Sequence, residues 1–407
     1  MATSKNIKQL EDGSIISPKG FTAAGIHTKV KKKRNDLGLV LCEVPADAAA
    51  VYTLNQVTAA PISVTKESIS AEGKIQAVIV NSGNANACTG KQGLLDAYTM
   101  RDQVAKKFQL NEMHVAVAST GVIGDAMPMD KIVPGIIKLQ PTFEETSAAA
   151  FNEAILTTDT VEKTICLQAE IDGKVVTIAG SAKGSGMIAP NMATMLGFIT
   201  TDIKIDHTVL QKALSQVTDE TFNRITVDGD TSTNDMVLVM ASGLADNESI
   251  TEEHPEYDVF LTLLFNVCEA LAKKIARDGE GATKLIEVNI DGAVNDEDAG
   301  KVAKSIVGSS LVKTMVYGAD PNWGRLMMAI GKSGADINQH TIDIHLGEQS
   351  LLHQSEATNY SEEELSNYLK NETVQIYIHL HKGDGKGKAW GCDLTYDYVR
   401  INASYRT

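Results

Sequence analysis

One threonine carries the clearest chemical signal in this sequence. Residues 184–201 hold no charge, yet they are crowded with Gly, Met, Thr, Pro and Asn. A buried strand would favour Val and Ile, and an exposed loop Lys, Glu and Asp. Within the stretch Thr194 follows the small Ala193. Attack by the Thr194 hydroxyl on the Ala193 carbonyl would cut the chain and free a new N-terminal threonine. That residue joins a nucleophile to a base, because an α-amino group titrates near ~7.7–8.0. The plainer reading is a buried loop of small residues and methionines.

Acyl chemistry at such a hydroxyl needs donors for the developing oxyanion. The run Ala118-Ser119-Thr120-Gly121-Val122-Ile123-Gly124 ends a predicted strand with a hydroxyl and a glycine. A strand end of this kind can aim both groups at one point, an arrangement worth roughly 3–4 kcal/mol per donor; a tight turn is the alternative. Residues 81–90 (NSGNANACTG) form a second small-residue loop, able to wrap amides around a carboxylate or simply to turn. The acids of 227–235 (VDGDTSTND) are spaced like a cation loop but lack the glycine and distal glutamate of the calcium pattern. Glu280 sits among glycines in 277–283, where it can pair with a cationic substrate, pair with Lys183, or be an exposed acid at a helix stop. Residues 317–325 (YGADPNWGR) read as turn and packing. The histidines show no HxxxH spacing and no GxSxG elbow is present, so neither a zinc site nor a serine-hydrolase triad is suggested.

These residues sit in a chain whose 52 acidic and 37 basic side chains give a net charge of −15. That surface repels nucleic acid and anionic lipid. The basic run Lys29-Val30-Lys31-Lys32-Lys33-Arg34 is the exception, and such a run is usually a solvated loop. Five scattered cysteines without a CxxC pair fit a reducing cytoplasm rather than a disulfide framework. The first residues lack the apolar core of a signal peptide, and no apolar run reaches membrane-spanning length. A cytoplasmic protein with no membrane or nucleic-acid partner is expected.

Short β-branched runs predict strands at 39–44, 76–81, 115–119, 164–169 and 175–179. Helical periodicity predicts helices over 93–108, 207–222, 258–277, 299–315 and 322–331, the third of them buried. Ser361 opens a capping box for a short helix ending near Lys370. Alternation in 373–380 and again in 392–398, around a glycine-rich turn at 383–387, predicts a C-terminal hairpin. The length allows two or three domains, with a boundary near residue 200. The mixture without a βαβ rhythm favours α+β layers.

Seven motifs in order resemble one family: NSGNANACTG (81–90), ASTGVIG (118–124), KGSGMIAPNMATML (183–196), TVDGDTSTND (226–235), ARDGEGATK (276–284), YGADPNWGR (317–325) and YVRINASYRT (398–407). Together they identify the chain as similar to the ornithine acetyltransferase (ArgJ) family of arginine biosynthesis. The resemblance implies a layered α/β/β/α-type sandwich and a precursor that cleaves itself after Ala193. The products would be an alpha chain (1–193) and a beta chain (194–407), two of each forming a heterotetramer. It implies Thr194 as the cleavage residue and acetyl acceptor, with Thr120 and Gly121 as the oxyanion hole. Thr157, Lys183, Thr194, Glu280, Asn402 and Thr407 match the substrate-binding positions. The substrates implied are N-acetyl-ornithine and glutamate, joined by a ping-pong transfer with no metal and no organic cofactor. Acetyl-CoA is a second donor for bifunctional members, towards which the reading leans without a local motif to decide it. A self-cleaving amidase or aminopeptidase of similar architecture is the alternative, distinguished by using water in place of glutamate.

Overall fold

The computed structural model describes residues 7–189 and 195–404. The chain runs through strands β1 (Lys8–Gln9), β2 (Phe21–Ile26) and β3 (Leu37–Tyr52), helix α1 (Ala60–Glu72), β4 (Lys74–Asn84), α2 (Gly90–Phe108) and β5 (Val115–Val122). Helices α3 (Met129–Lys138) and α4 (Glu145–Ile155) precede β6 (Lys163–Ile171), β7 (Lys174–Lys183) and β8 (Leu196–Thr201). Next come α5 (His207–Glu220), β9 (Ile225–Thr226), β10 (Met236–Ala241), α6 (Tyr257–Arg277), β11 (Leu285–Ala293), α7 (Asp296–Val307), α8 (Ser310–Tyr317) and α9 (Trp323–Gly331). The chain closes with β12 (Asp343–Leu346), β13 (Gln349–His353), β14 (Glu356–Ala357), α10 (Glu362–Tyr368), β15 (Thr373–His379), β16 (Gly385–Cys392) and α11 (Tyr396–Ser404).

Among the described residues the strands form two sheets. One has the order β1-β6-β7-β8-β10-β3-β4-β5, with β2 also on β3; the other has the order β14-β13-β12-β15-β11-β16-β9. Both mix parallel with antiparallel pairs, such as β4/β5 and β3/β4 in the first, so the α+β class expected from the sequence holds. Helix α6 ties the sheets together. Its Leu263, Val267, Leu271 and Ile275 share one core with Ile178 and Ile199 of the first sheet and Trp390 of the second. Gly180 on β7 lets it approach, since a Cβ there would come within 2.7 Å of Leu271. Helices α2 and α3 cover β4 and β5; α4 packs elsewhere on that sheet, with Phe151 edge-on to Phe198 at 5.7 Å. Helices α7, α8 and α9 cover the second sheet.

The structure departs from the expected elements at three places. First, β8 is an entirely buried strand, although its composition argued against one. Flanked by β7 and β10, it needs no β-branched run, because tertiary position overrides propensity in a central strand. With β10 it inserts residues after 194 into a sheet otherwise built from residues before 190, so the boundary near residue 200 is not a boundary in space. Second, the C-terminal hairpin is absent. Strands β15 and β16 both pair with β11, one on each side, and Tyr396 begins a helix rather than continuing a strand. Two of the glycines read as a turn, Gly385 and Gly387, lie within β16, under α7: a Cβ on Gly387 would stand 2.7 Å from the Gly300 backbone nitrogen. Third, the helix expected over 299–315 is two, broken at Gly308, where Ser309 caps α8 by accepting from the Val312 amide. The Ser361 cap forms as expected, accepting from the Glu364 amide.

Candidate active site

Strands β4 and β5 run parallel, and their C-terminal ends bring two small-residue loops together. Gly83 lies opposite Gly121, and Gly121 has φ 133°, in a conformation that favours glycine. A Cβ there would meet the Gly83 carbonyl carbon at 2.4 Å. The Asn-rich loop turns out to be scaffolding. Asn81 donates to the Asn84 carbonyl at 2.9 Å, and Asn84 donates to the Asp125 and Ala126 carbonyls. Asn234 braces the strand end, donating to the Ala85 carbonyl at 2.5 Å and the Ser119 carbonyl at 2.8 Å. These bonds fix Thr120, whose hydroxyl accepts from Lys183 Nζ at 3.3 Å.

Lys183 ends β7 and is buried. Behind it lies a network that sequence reasoning missed. Asp159 accepts from Lys163 Nζ at 2.7 Å, the Gly184 amide at 2.6 Å and the Thr157 amide at 3.0 Å. Lys163 also reaches Asp278 at 2.6 Å, and Asp278 accepts from the Thr160 amide at 3.1 Å. Burial by itself would push the Asp159 carboxyl up, but Lys183 and Lys163 hold it well below the usual carboxylate range. The three charges thus clamp together segments 157–160, 183–184 and 278. A lysine and two aspartates at 159, 163 and 278 give no spacing signal, because the chain returns to this point only after β7, β8 and α6.

The clamp continues to Glu280. Ser185 donates to the Asp278 carbonyl at 2.7 Å, and its own carbonyl accepts from the Glu280 amide at 2.9 Å. The buried Glu280 carboxylate accepts from Asn402 Nδ2 at 2.7 Å. The acids of 227–235 also find their use. Asp228 accepts from the Met187, Ile188 and Asp230 amides, a structural tie rather than a calcium loop. Burial raises the Asp228 carboxyl, opposed by those amides. Among the described residues a metal-like cluster occurs at Asp47, Asp206 and His207, where Lys74 already pairs with Asp47 at 2.6 Å.

Thr120, Gly121, Thr157, Lys183, Glu280 and Asn402 line one cavity of about 570 Å³. Six positions expected from the sequence are therefore brought together. Ala193, Thr194 and Thr407 lie outside the described residues. Met195 and Leu196, directly after Thr194, also line the cavity. Met195 is tied down by the Met236 amide, and Ala189 by the Thr231 hydroxyl.

Residues 22–407 match the ArgJ family model. The arginine biosynthesis bifunctional protein ArgJ of Halalkalibacterium halodurans is 65% identical over 403 residues, covering 99% of this chain and 98% of the relative. A crystal structure of that protein from Bacillus halodurans shares 64% identity, covering 46% of this chain and 98% of the solved one, with a TM-score of 0.46. A crystal structure of ornithine acetyltransferase from Mycobacterium tuberculosis complexed with ornithine shares 38% identity, covering 46% and 100%, with a TM-score of 0.43. The chain belongs to the ArgJ family, the acyltransferases of arginine biosynthesis.

Proposed function

We propose that this chain cleaves itself between Ala193 and Thr194 and then transfers acetyl from N-acetyl-ornithine to glutamate through an acetyl-threonine. The observation that carries this reading is the convergence of Thr120, Gly121, Lys183 and Glu280 on the cavity that Met195 lines. The Thr194 hydroxyl attacks the acetamide carbonyl while the freed α-amino group takes its proton. Because the Thr120 hydroxyl accepts from Lys183, its own O–H is left to donate to the oxyanion, alongside Gly121. The C–N bond then breaks and ornithine leaves with the proton returned. The glutamate amine attacks the ester, restoring Thr194 and giving N-acetyl-glutamate. Glu280, held by Asn402, suits a substrate ammonium, and the Lys183 ammonium suits a carboxylate; Thr157 and Thr407 complete the substrate contacts. Every proton transfer is made by the enzyme's own groups, so no metal or organic cofactor is required.

Acetyl-CoA serves as a second donor in the same first half-reaction, its C–S bond breaking in place of C–N and the thiol leaving. The placement of β8 and β10 inside the first sheet supports chains 1–193 and 194–407 remaining together; the assembly proposed, from the family resemblance, is a heterotetramer with two of each. Among the described residues no helix is long and apolar enough to cross a membrane, in keeping with a place in the cytoplasm. The test is intact mass under denaturing conditions with N-terminal sequencing. Two fragments are expected, one beginning Thr-Met-Leu-Gly, and Thr194→Ala should abolish both cleavage and turnover. A single active chain would overturn the mechanism, and product formation with water in place of glutamate would make the enzyme a hydrolase.

A further inference from the structure

The basic run at residues 29–34 presents four exposed cations, Lys29, Lys32, Lys33 and Arg34, that the transfer chemistry does not use, and it lies beside the active-site walls. Its loop joins β2 to β3 and is built around the buried Asp36. That carboxylate accepts from the Thr28, Val30 and Lys31 amides and from the Thr28 hydroxyl, so its negative charge is consumed inside the loop. Lys31 points inward and anchors the loop, donating to the Leu156 carbonyl at 2.8 Å. It also lies against β4, where a Cβ on Gly83 would come within 2.9 Å of Lys31 Cγ. Leu156 precedes the cavity residue Thr157, and Gly83 is paired with the cavity residue Gly121. Arg34 donates to the Asp159 carbonyl, the next turn of the same wall. Lys29, Lys32, Lys33 and Arg34 are exposed. Of the nearby acids, Asp159 is neutralised by Lys163, and Glu153 accepts from the Asn35 amide.

A chain of net charge −15 repels polyanions unless it presents a local positive field. Neither N-acetyl-ornithine nor glutamate needs such a field outside the cavity. A donor with several phosphates on a long flexible arm does. We propose that loop 29–34 binds the phosphates of a nucleotide-tailed acyl thioester, acetyl-CoA, whose long arm spans the distance from the loop to the cavity. This rests on the reading of acetyl-CoA as a second donor. Lys32, Lys33 and Arg34 supply charge-assisted hydrogen bonds to phosphate oxygens, while Lys31 and Asp36 hold the loop in place beforehand. Because the contacts are exposed charges, they act on association and weaken with salt.

The test is steady-state kinetics of the processed enzyme with glutamate as acceptor and each donor in turn, for the native chain and Lys32→Glu/Lys33→Glu. The variant should raise KM for acetyl-CoA by at least roughly tenfold, with a flattened salt dependence, and leave the N-acetyl-ornithine parameters unchanged. A native enzyme that uses acetyl-CoA with a KM unaffected by the variant overturns the loop's role and leaves the donor reading standing. Equal loss with both donors also overturns it, making the loop a structural support. A native enzyme that transfers only from N-acetyl-ornithine, with no acetyl-CoA binding by calorimetry, removes the second donor and the loop's role together.

Discussion

Lys163 Nζ stands 2.6 Å from Asp278, 115 residues further along the chain, with the lysine side chain fully buried and the aspartate 5% exposed. The same ammonium reaches Asp159 at 2.7 Å. One buried cation thus joins the segment carrying Thr157 to the segment leading into Glu280. Removing it strands two buried carboxylates, and breaking a buried pair costs about 3–5 kcal/mol. Lys163→Met should lower the unfolding free energy by that much in denaturant titrations. A loss below about 1 kcal/mol would mean that water already reaches the pair.

Thr120 differs from Lys163 in that the role proposed for it is chemical. Its hydroxyl is fixed by Lys183 at 3.3 Å, and it sits at a strand end that backbone and Asn234 bonds already secure. Thr120→Val keeps the shape and deletes the donor. The expected outcome is kcat down about 10²–10³-fold with KM nearly unchanged, as for loss of one oxyanion donor, and a melting temperature close to that of the native enzyme. A variant that lost KM rather than kcat would place Thr120 on the substrate instead.

How far the sequence announced all this depends on distance along the chain. The place of Thr120 and Gly121 at a strand end was legible because a strand, a hydroxyl and a glycine are consecutive. The Ser361 cap and the long helix α6 were legible for the same reason, one short window holding the signal, although α6 buries one face rather than nearly all of them. Asp159, Lys163 and Asp278 were silent, because a buried ion triad has no periodicity and its members meet only after the sheet is assembled. The misread hairpin has a related cause. Alternation showed that β15 has one buried face but could not show that β11 would come between it and β16. The glycines of β16 look like turn residues until α7 is laid across them.

The Asp159 carboxyl also sets a pH dependence. Lys183 and Lys163 hold it below the ordinary range against the effect of burial. Its folded value lies under the unfolded one of about 3.9. The ionised form therefore stabilises the fold fully above about pH 4, and this contribution drains away as pH falls towards the folded value. Melting temperatures measured from pH 7 down to pH 3 should fall steeply at the acid end for the native protein. Asp159→Asn should start lower at pH 7 and show a shallower acid slope. Parallel curves would assign the acid sensitivity to other carboxylates.

Gly186 offers a way to disturb Glu280 without touching it. A Cβ at this position would stand 2.4 Å from the Glu280 carboxyl carbon, which is closer than any side chain tolerates. The obstructing atoms are the end of a side chain rather than backbone, so in Gly186→Ala the carboxylate swings aside and the fold survives. In doing so it leaves the 2.7 Å bond from Asn402 and the place where a substrate ammonium would sit. A hydrogen bond to a charged group contributes about 1.5–3 kcal/mol, so KM for N-acetyl-ornithine should rise by roughly ten- to a hundredfold. Glu280→Gln, which keeps the volume and removes the charge, should raise KM to a similar degree with the native melting temperature. If Gly186→Ala left KM at the native value while Glu280→Gln did not, the carboxylate would be reaching the substrate from a different rotamer, and the Asn402 contact would be incidental to binding.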